Sequence, residues 1–390
     1  MMSALSSEDI LANVSALVPE ISARAAEAGR ARRVLPDLAE KLREAGVFRV
    51  MFPKALGGPE MPLARQIELV ETLSYADASV GWACKINFDS GYFAAVLGEA
   101  AARDLYPTLD LATAGQASPN GRAVRVPGGF RVTGRWGFAS GCNHADVLLG
   151  GCAVLEREDA APSGAILAFA PASCWTIEDT WHSNGLLGSG SHHYSTQDLF
   201  VPDERVLVLG EKNRRKRFDG PVYAAEAGVA LVLPMVGVPL GLMRRAIDEA
   251  LKFIDGRVFA ARPRERPAPM KDLARVKLAM AHAQMMSGAA RAYAYGTIGR
   301  YWDEMVTRGE CSIETRREVA MARFHALRTA REVTQLVFDT IGAPAVYETL
   351  PFGALLRDAI AINQHRVFSD DFIEGLGGVM FGGSPEGMFI

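Results

Sequence analysis

The chain has 390 residues, 49% of them apolar and 22% charged, and a formal net charge of −3. That length predicts two or three domains and that composition a soluble protein with a large core, while the slight acidity argues against a nucleic-acid surface. Cys84, Cys142, Cys152, Cys174 and Cys311 are odd in number, widely spaced and free of any CxxC pair. This argues against a disulfide scaffold or a cysteine zinc site and predicts a reducing, cytoplasmic compartment. The opening MMSALSSEDILANVSALVPE has neither a basic n-region nor a long apolar run, so no secretory leader is expected.

Residues 10 to about 105 read as helical. In RAAEAGRARRVLPDLAEKLREAGVFRV, Leu35, Leu38, Leu42 and Val47 recur near helical spacing; Pro36 kinks or restarts the helix and Gly46 can close it. FPKALGGPEMPLA, punctuated by Gly57, Gly58 and Pro59, predicts a loop. ARQIELVETLSYAD predicts a second amphipathic helix, and the apolar run from Val80 to Leu97 a third, capped by Ser79 or Asp77.

The character changes near residue 110. LATAG, RAVRVPGGFRVTGRW, DVLLGGCAVLE, GAILAFAP, CWTIED and STQDLFVP are short β-rich runs between turn signals, PGG at 127 to 129 among them. EKNRRKRF (211 to 218) reads as a solvated connector, with phosphate contact as the alternative. Helical spans are then expected at 222 to 255, 269 to 308, 314 to 341 and 350 to 372, joined by connectors such as RPRERPAP (262 to 269). Such lengths imply a bundle. AEAGVALVLPMVGVPLGLM (225 to 243) is long enough to raise the membrane question, but Glu226 and the lack of a second spanning partner favour a buried helix. The expected organisation is α+β: residues 1–109 helical, 110–215 a β domain and 216–390 a helical bundle.

GxGxxG, GxxxxGK[ST] and HExxH are absent, and GSGSH places its second glycine too early for a nucleophile elbow. His182, His192 and His193 lie close in sequence, but no carboxylate completes a facial triad, so no metal is expected. The most unusual stretch is GRWGFASGCNHADVLLGG (134 to 151), where Trp136 and Phe138 precede Ser140, Gly141, Asn143 and His144. It suits either a turn packed by aromatics or a pocket for a planar cofactor.

Several segments in this order carry a resemblance. They are FPKALGGPEMP (52 to 62), DASVGWAC, the stretch just quoted, WHSNGLLGSGSHHYSTQDLFVP (181 to 202), IDGRVFAARPRERPAP and FDTIGAPAVYETLPFGALLRDAIAINQHRVFSDD (338 to 371). Over roughly residues 15 to 375 the chain resembles the acyl-CoA dehydrogenase superfamily, and more closely its flavin-dependent monooxygenase branch. That branch holds the oxygenase components of two-component hydroxylases and the dibenzothiophene monooxygenases. The resemblance implies an acyl-CoA dehydrogenase-like fold: an N-terminal helical domain, a central β-barrel or sandwich and a C-terminal four-helix bundle.

It also implies roles. Phe138 and Ser140 match the aromatic and hydroxyl positions beside the flavin ring, Gly141 would admit close backbone approach, and Trp136 is a further cofactor-side candidate. Gly188, Ser189, Gly190 and Ser191 match the small-residue core near the ribityl phosphate, although Leu187 stands where dehydrogenases often carry arginine and the His192–His193 pair departs from the commoner pattern. Trp82, His144 and His192 are substrate-side candidates, with a core or pocket wall the alternative for Trp82 and a structural turn residue the alternative for His144. Arg257 matches an arginine that reaches the cofactor of a neighbouring subunit, and with the large faces of the long bundle helices this leads to an expected homotetramer, a dimer being the alternative; Phe259 keeps the spacing and Ala260 replaces a glycine. Arg357 and Asp358 match the pair opening the last long helix, or form a surface charge couple. Where common dehydrogenases place a glutamate base, the chain reads Asn363, Gln364, His365, Arg366, which makes His365 the candidate base or orienting donor, acting with Ser140.

The implied reaction uses reduced flavin (FMN or FAD) from a separate NAD(P)H-dependent flavin reductase, with O2 as co-substrate. A C4a-hydroperoxyflavin then hydroxylates a small aromatic or heteroatom-containing molecule. The alternative is an acyl-CoA dehydrogenase-type flavoprotein that oxidises an acyl thioester with another carboxylate such as Glu348. Flavin-dependent oxygen uptake separates the two, and a non-enzymatic helical assembly protein would bind no flavin.

Overall fold

The computed structural model describes residues 5–210, 217–225, 227–259 and 267–383. Most of the two basic connectors, EKNRRKRF and RPRERPAP, and with them Ala260, lies outside the described residues. The chain forms two compact units. One comprises Met1–Gln66, Trp82–Ser183 and Leu187–Glu226, the other Ile67–Gly81, Asn184–Leu186 and Ala227–Ile390.

Six helices come first: α1 (Ser7–Ala31), α2 (Pro36–Glu44), α3 (Leu63–Ala76), α4 (Ala78–Asn87), α5 (Ser90–Val96) and α6 (Glu99–Leu105). Ser6 and Asp9 close a capping box at the start of α1. Pro36 restarts the helix as the first residue of α2, where its missing N–H costs nothing. Of the two candidate caps for the third helix, Asp77 serves, accepting from the Ser79 N–H at 2.8 Å. The apolar run from Val80 to Leu97 is two helices rather than one. The break falls at Asn87, whose side-chain amide donates to the Thr113 and Ser140 carbonyls, and Ser90 Oγ then donates to the Asn87 carbonyl at 3.0 Å.

The β block is one mixed sheet of β1 (Thr113–Val126), β2 (Gly129–Ala139), β3 (Val147–Leu155), β4 (Gly164–Pro171), β5 (Thr176–Glu178), β6 (His192–Pro202) and β7 (Val206–Val208), in the order β5-β6-β2-β1-β3-β4-β7. β1 and β2 form a hairpin over the predicted PGG turn, and β1 pairs with β3 in parallel. The core of this unit is built on Trp136, which meets Trp175 edge-on at 5.3 Å and stacks on Tyr194 at 5.4 Å. The Trp136 indole N–H is satisfied by the Gly151 carbonyl at 2.7 Å. The β2–β6 register slips between Trp136 and Ala139, a bulge that decides how the following turn is presented.

After a short α7 (Pro221–Ala224) in the first unit come helices that lie in the second, which also holds most of α3: α8 (Ala227–Val232), α9 (Gly237–Asp255), α10 (Ala274–Arg308), α11 (Ile313–Ile341), α12 (Phe352–Ile362) and α13 (Asp370–Met380). The span expected at 222 to 255 is interrupted because Pro234 lacks an N–H and imposes a 3-10 turn over Leu233–Val236. The most apolar window within Gly228–Asp255 is 83% buried, the environment of a core helix. The span expected at 350 to 372 is likewise two helices separated by a 3-10 turn, Arg366–Phe368. Asn363 ends the first of them, its amide donating back to the carbonyls of Ala359 and Leu327 at 2.8 and 2.9 Å. α9, α10, α11 and α12 share an apolar core of Ala246, Ala250, Val276, Val337 and Phe352.

Candidate functional site

Along β2 the side chains should alternate, which would place Trp136 and Phe138 on one face. The bulge separates them. Trp136 stays in the core, 1% exposed, whereas Phe138 adopts φ +62° and stands 63% exposed. Trp136 is therefore a support beneath the strand and lines no open face. A positive φ at a bulky residue is uncommon and marks a constrained turn. The Phe138 ring is flanked edge-on by Trp181 at 6.2 Å and His193 at 6.1 Å. A Cβ on Gly137 would lie 2.8 Å from the His193 ring, so the glycine lets that imidazole cross the strand in its present place. His193 Nδ1 in turn meets the Arg135 guanidinium at 2.9 Å, itself held by Glu178 at 2.7 Å. Trp181, the first residue of a segment singled out in the sequence, was not recognised there as part of this surface.

Two residues beyond Phe138 a chain of buried hydroxyls begins. The Trp82 indole N–H donates to Ser140 Oγ at 2.9 Å; Ser140 Oγ meets Ser191 Oγ at 2.7 Å, and Ser191 Oγ meets Ser189 Oγ at 2.8 Å. The Gly141 N–H donates to the Ser189 carbonyl at 2.8 Å, which ties the two turns together, and Gly188 and Gly190 flank Ser189. Trp82, Ser140, Gly141, Ser189, Gly190 and Ser191 are thus brought together in one hydrogen-bonded cluster. Trp82 reaches this cluster through a hydrogen bond to Ser140. Each serine has one hydrogen to give, so the run of hydroxyls is polarised as a unit.

The two other histidines near this turn have structural partners. His192 Nδ1 accepts from the N–H groups of Thr180 and Trp181, both at 3.2 Å, which fixes its tautomer and holds the turn carrying Trp181. Burial lowers its pKa. His144 Nε2 bonds to Asn87 Oδ1 at 2.8 Å and the ring stacks on Phe48 at 6.0 Å. Burial, with Arg43 and Arg33 nearby, pushes its pKa down to about 4.

In the second unit, Arg257 is exposed and lies over Phe253 at 4.6 Å, just before the short pairing of Val258–Phe259 with Ala268–Pro269. His365 sits in the turn between α12 and α13, not within a long helix. It caps the 3-10 turn, its Nδ1 accepting from the Val367 N–H at 3.4 Å and its ring tilted 5.5 Å from Phe368. Asp358 is no surface charge couple: its carboxylate accepts the Leu186 N–H at 2.6 Å, and burial, reinforced by Asp77, pushes its pKa up to about 7. Glu348 is exposed.

Residues 7–106 match the family model described as acyl-CoA dehydrogenase, N-terminal domain, and residues 233–370 that described as acyl-CoA dehydrogenase, C-terminal domain. The indole-3-acetate monooxygenase of Pseudomonas putida is 32% identical over 368 residues, 93% of this chain and 91% of that protein. The chain belongs to the flavin-dependent monooxygenases of the acyl-CoA dehydrogenase-like family. This branch comprises oxygenase components of two-component systems, which act with reduced flavin and O2 on small aromatic substrates and draw electrons from a separate reductase. The fold is also that of 3-HSA hydroxylase from Rhodococcus sp. RHA1, with TM-score 0.90 at 24% identity over 98% of this chain and 99% of that one. XiaF from Streptomyces sp., solved in complex with FADH2 and glycerol, gives TM-score 0.87 at 23% identity over 97% and 96% of the two chains. The residues present fit a flavin: an exposed aromatic surface for a flat ring adjoins a hydroxyl- and glycine-lined turn for its polar edge.

Proposed function

We propose that this monooxygenase hydroxylates a small aromatic heterocycle of the indole-3-acetate type, with flavin bound against the bulge of β2. The observation that carries the placement is the outward turn of Phe138 immediately before the Trp82–Ser140–Ser191–Ser189 hydrogen-bonded run. The substrate class rests on the 32% identity to indole-3-acetate monooxygenase. When bound, reduced flavin supplies the two electrons that activate O2, so that one oxygen atom goes to the substrate and the other leaves as water.

The chain's own residues then have distinct tasks. Phe138 and Trp181 would cover the ring and exclude water, which limits loss of activated oxygen as peroxide. Ser140 Oγ already accepts from Trp82, so its remaining lone pair and hydrogen are shared between Ser191 and the ligand. Ser189, Ser191, Gly141 and Gly190 would receive the rest of the cofactor. His365, whose Nδ1 accepts from Val367, would hold or move a proton at Nε2. Arg257 would reach the cofactor of a second copy; the proposed working species is a homotetramer, with a dimer as the alternative, and the proposed location is cytoplasmic.

The test is anaerobic titration with oxidised and reduced FMN and FAD, followed by aerobic turnover with indole-3-acetate and a purified reductase. The expected result is tighter binding of a reduced flavin and a hydroxylated product. Tight retention of oxidised flavin with oxidation of an acyl thioester would overturn the proposal.

A further inference from the structure

We infer that Asn87 and His144 are a positioning pair for the Ser140–Gly141 turn, with His144 serving as a fixed neutral donor and not as a substrate ligand. The inference rests on the flavin-site reading of that turn. Asn87 is the last residue of α4 and is fully buried. Its Nδ2 donates to the Thr113 carbonyl at 3.1 Å, where β1 begins, and to the Ser140 carbonyl at 3.3 Å, just past the end of β2. An amide nitrogen has two hydrogens, and both are used. The amide oxygen is therefore the atom left for His144, so the histidine must be the donor, with its hydrogen on Nε2 at 2.8 Å.

That assignment has a consequence for the other ring nitrogen. Nδ1 carries only a lone pair; it is enclosed and meets no partner among the described residues. A substrate ligand or proton carrier would need that nitrogen open. The ring is clamped against Phe48, over which the Arg43 guanidinium lies at 5.4 Å. Arg43 is paired with Asp146 at 3.0 Å, and Arg33 also bears on the ring, so the neighbouring charges oppose a second proton.

The clamp closes on the turn from both ends. His144 ends the 3-10 turn Cys142–His144 that follows Gly141, so the first carbonyl of the turn and its last side chain meet the same amide. Between them Gly141 lies directly on Asn87: at φ +74° its Cβ would fall 2.2 Å from Asn87 Oδ1. From the same helix, Trp82 holds the Ser140 hydroxyl. α4 therefore fixes both the main chain and the side chain of the residue beside the proposed ring.

The experiment uses full-length protein and the variants H144A, H144Q, N87D and S140A. Glutamine keeps an N–H near the place of Nε2, whereas aspartate at 87 loses both hydrogens given to carbonyls. Dissociation constants for reduced FMN and FAD should rise about tenfold or more in H144A and N87D, the scale of one or two lost hydrogen bonds, and stay within about threefold of wild type in H144Q. KM for the aromatic substrate should be unchanged in H144Q. In wild-type protein labelled with 15N-histidine, His144 should show one neutral Nε2–H tautomer from pH 8 to pH 5. That spectrum is informative even where a variant fails to fold. The flavin-site reading fails if wild type binds no flavin or S140A binds as wild type. The positioning inference fails separately, if S140A weakens binding while H144A and N87D do not, if H144Q does not rescue, or if His144 titrates between pH 6 and 8.

Discussion

Replacing Gly141 by alanine should be among the most damaging single-methyl changes in the first unit. Two effects add. The residue is held at φ +74°, and a side chain in that region costs about 1–2 kcal/mol. The new Cβ would also lie 2.2 Å from Asn87 Oδ1 and 2.7 Å from Nδ2, and neither atom belongs to a flexible chain end. Relieving that overlap requires the buried amide to move, which breaks or stretches its bonds to Thr113, Ser140 and His144. Leaving buried polar groups unpaired costs about 1–3 kcal/mol each, so a total of about 3–5 kcal/mol is expected. Gly128 provides the internal control. It has nearly the same angle, φ +79°, but an added Cβ there meets nothing within 4 Å. G128A should therefore cost only the backbone component. Urea unfolding of the two variants, at one protein concentration and followed by circular dichroism, isolates the steric component as the difference between them. Equal destabilisation of G141A and G128A would refute the claim that the turn is seated on Asn87.

Other consequences are open to measurement. H365A should leave flavin affinity nearly intact while product formation falls by about 10²–10⁴ and peroxide release rises; wild-type coupling of product to reduced flavin would remove His365 from the chemistry. F138A should weaken reduced-flavin binding and raise peroxide release, measured by anaerobic titration and peroxide yield; no change in either would move the ring away from the bulge. His144 is held at about 4 against an ordinary value of 6.5, so below 6.5 the unfolded chain binds a proton that the folded chain refuses. Stability from this residue is therefore present above pH 6.5 and lost as pH falls towards 4, by at most about 3 kcal/mol. Asp358, raised to about 7, acts in the opposite sense, since the folded chain keeps a proton that the unfolded chain loses near pH 4. The wild-type profile mixes the two, so the measurement is the pH dependence of unfolding in H144Q and in D358N, each as a difference from wild type, and differences flat in both would refute these shifts. Arg257→Ala should weaken flavin binding in an assembly whose sedimentation mass is four times that of the chain, and a fully active monomer would contradict the role proposed for Arg257.

The order of the blocks was legible because each change in residue pattern has a local physical cause. Period-3.6 apolar spacing, PGG turns and Val-Ile-Thr runs do not need tertiary context to be recognised. Helix interruptions were less legible. Pro234 was visible in the sequence, yet the break beyond Ile362 depends on Asn363 returning its amide to Leu327 and Ala359, and the Leu327 half of that exchange exists only once α11 is packed alongside. Asn87 carried no signal at all, since an asparagine at the end of an apolar helix looks like an ordinary terminus until β1 and the turn after β2 arrive to use both of its hydrogens.

The bulge of β2 shows most plainly where pattern reading stops. In GRWGFAS, Trp136 and Phe138 are two apart, and strict alternation assigns them the same environment. A slip of register against β6 is a property of the pair of strands, and neither strand alone encodes it. Once it occurs, the two aromatics part: one completes a core with Trp175 and Tyr194, while the other is left outside between Trp181 and His193. The stretch thus divides between a packed ring and an exposed one, and the proposed flavin face belongs to the exposed ring. Gly137 helps to hold this arrangement, because a Cβ there would lie 2.8 Å from the His193 ring and push that ring from its place beside Phe138. A G137A variant that kept both flavin affinity and peroxide coupling would show that flavin binding does not depend on the His193 side of this cluster.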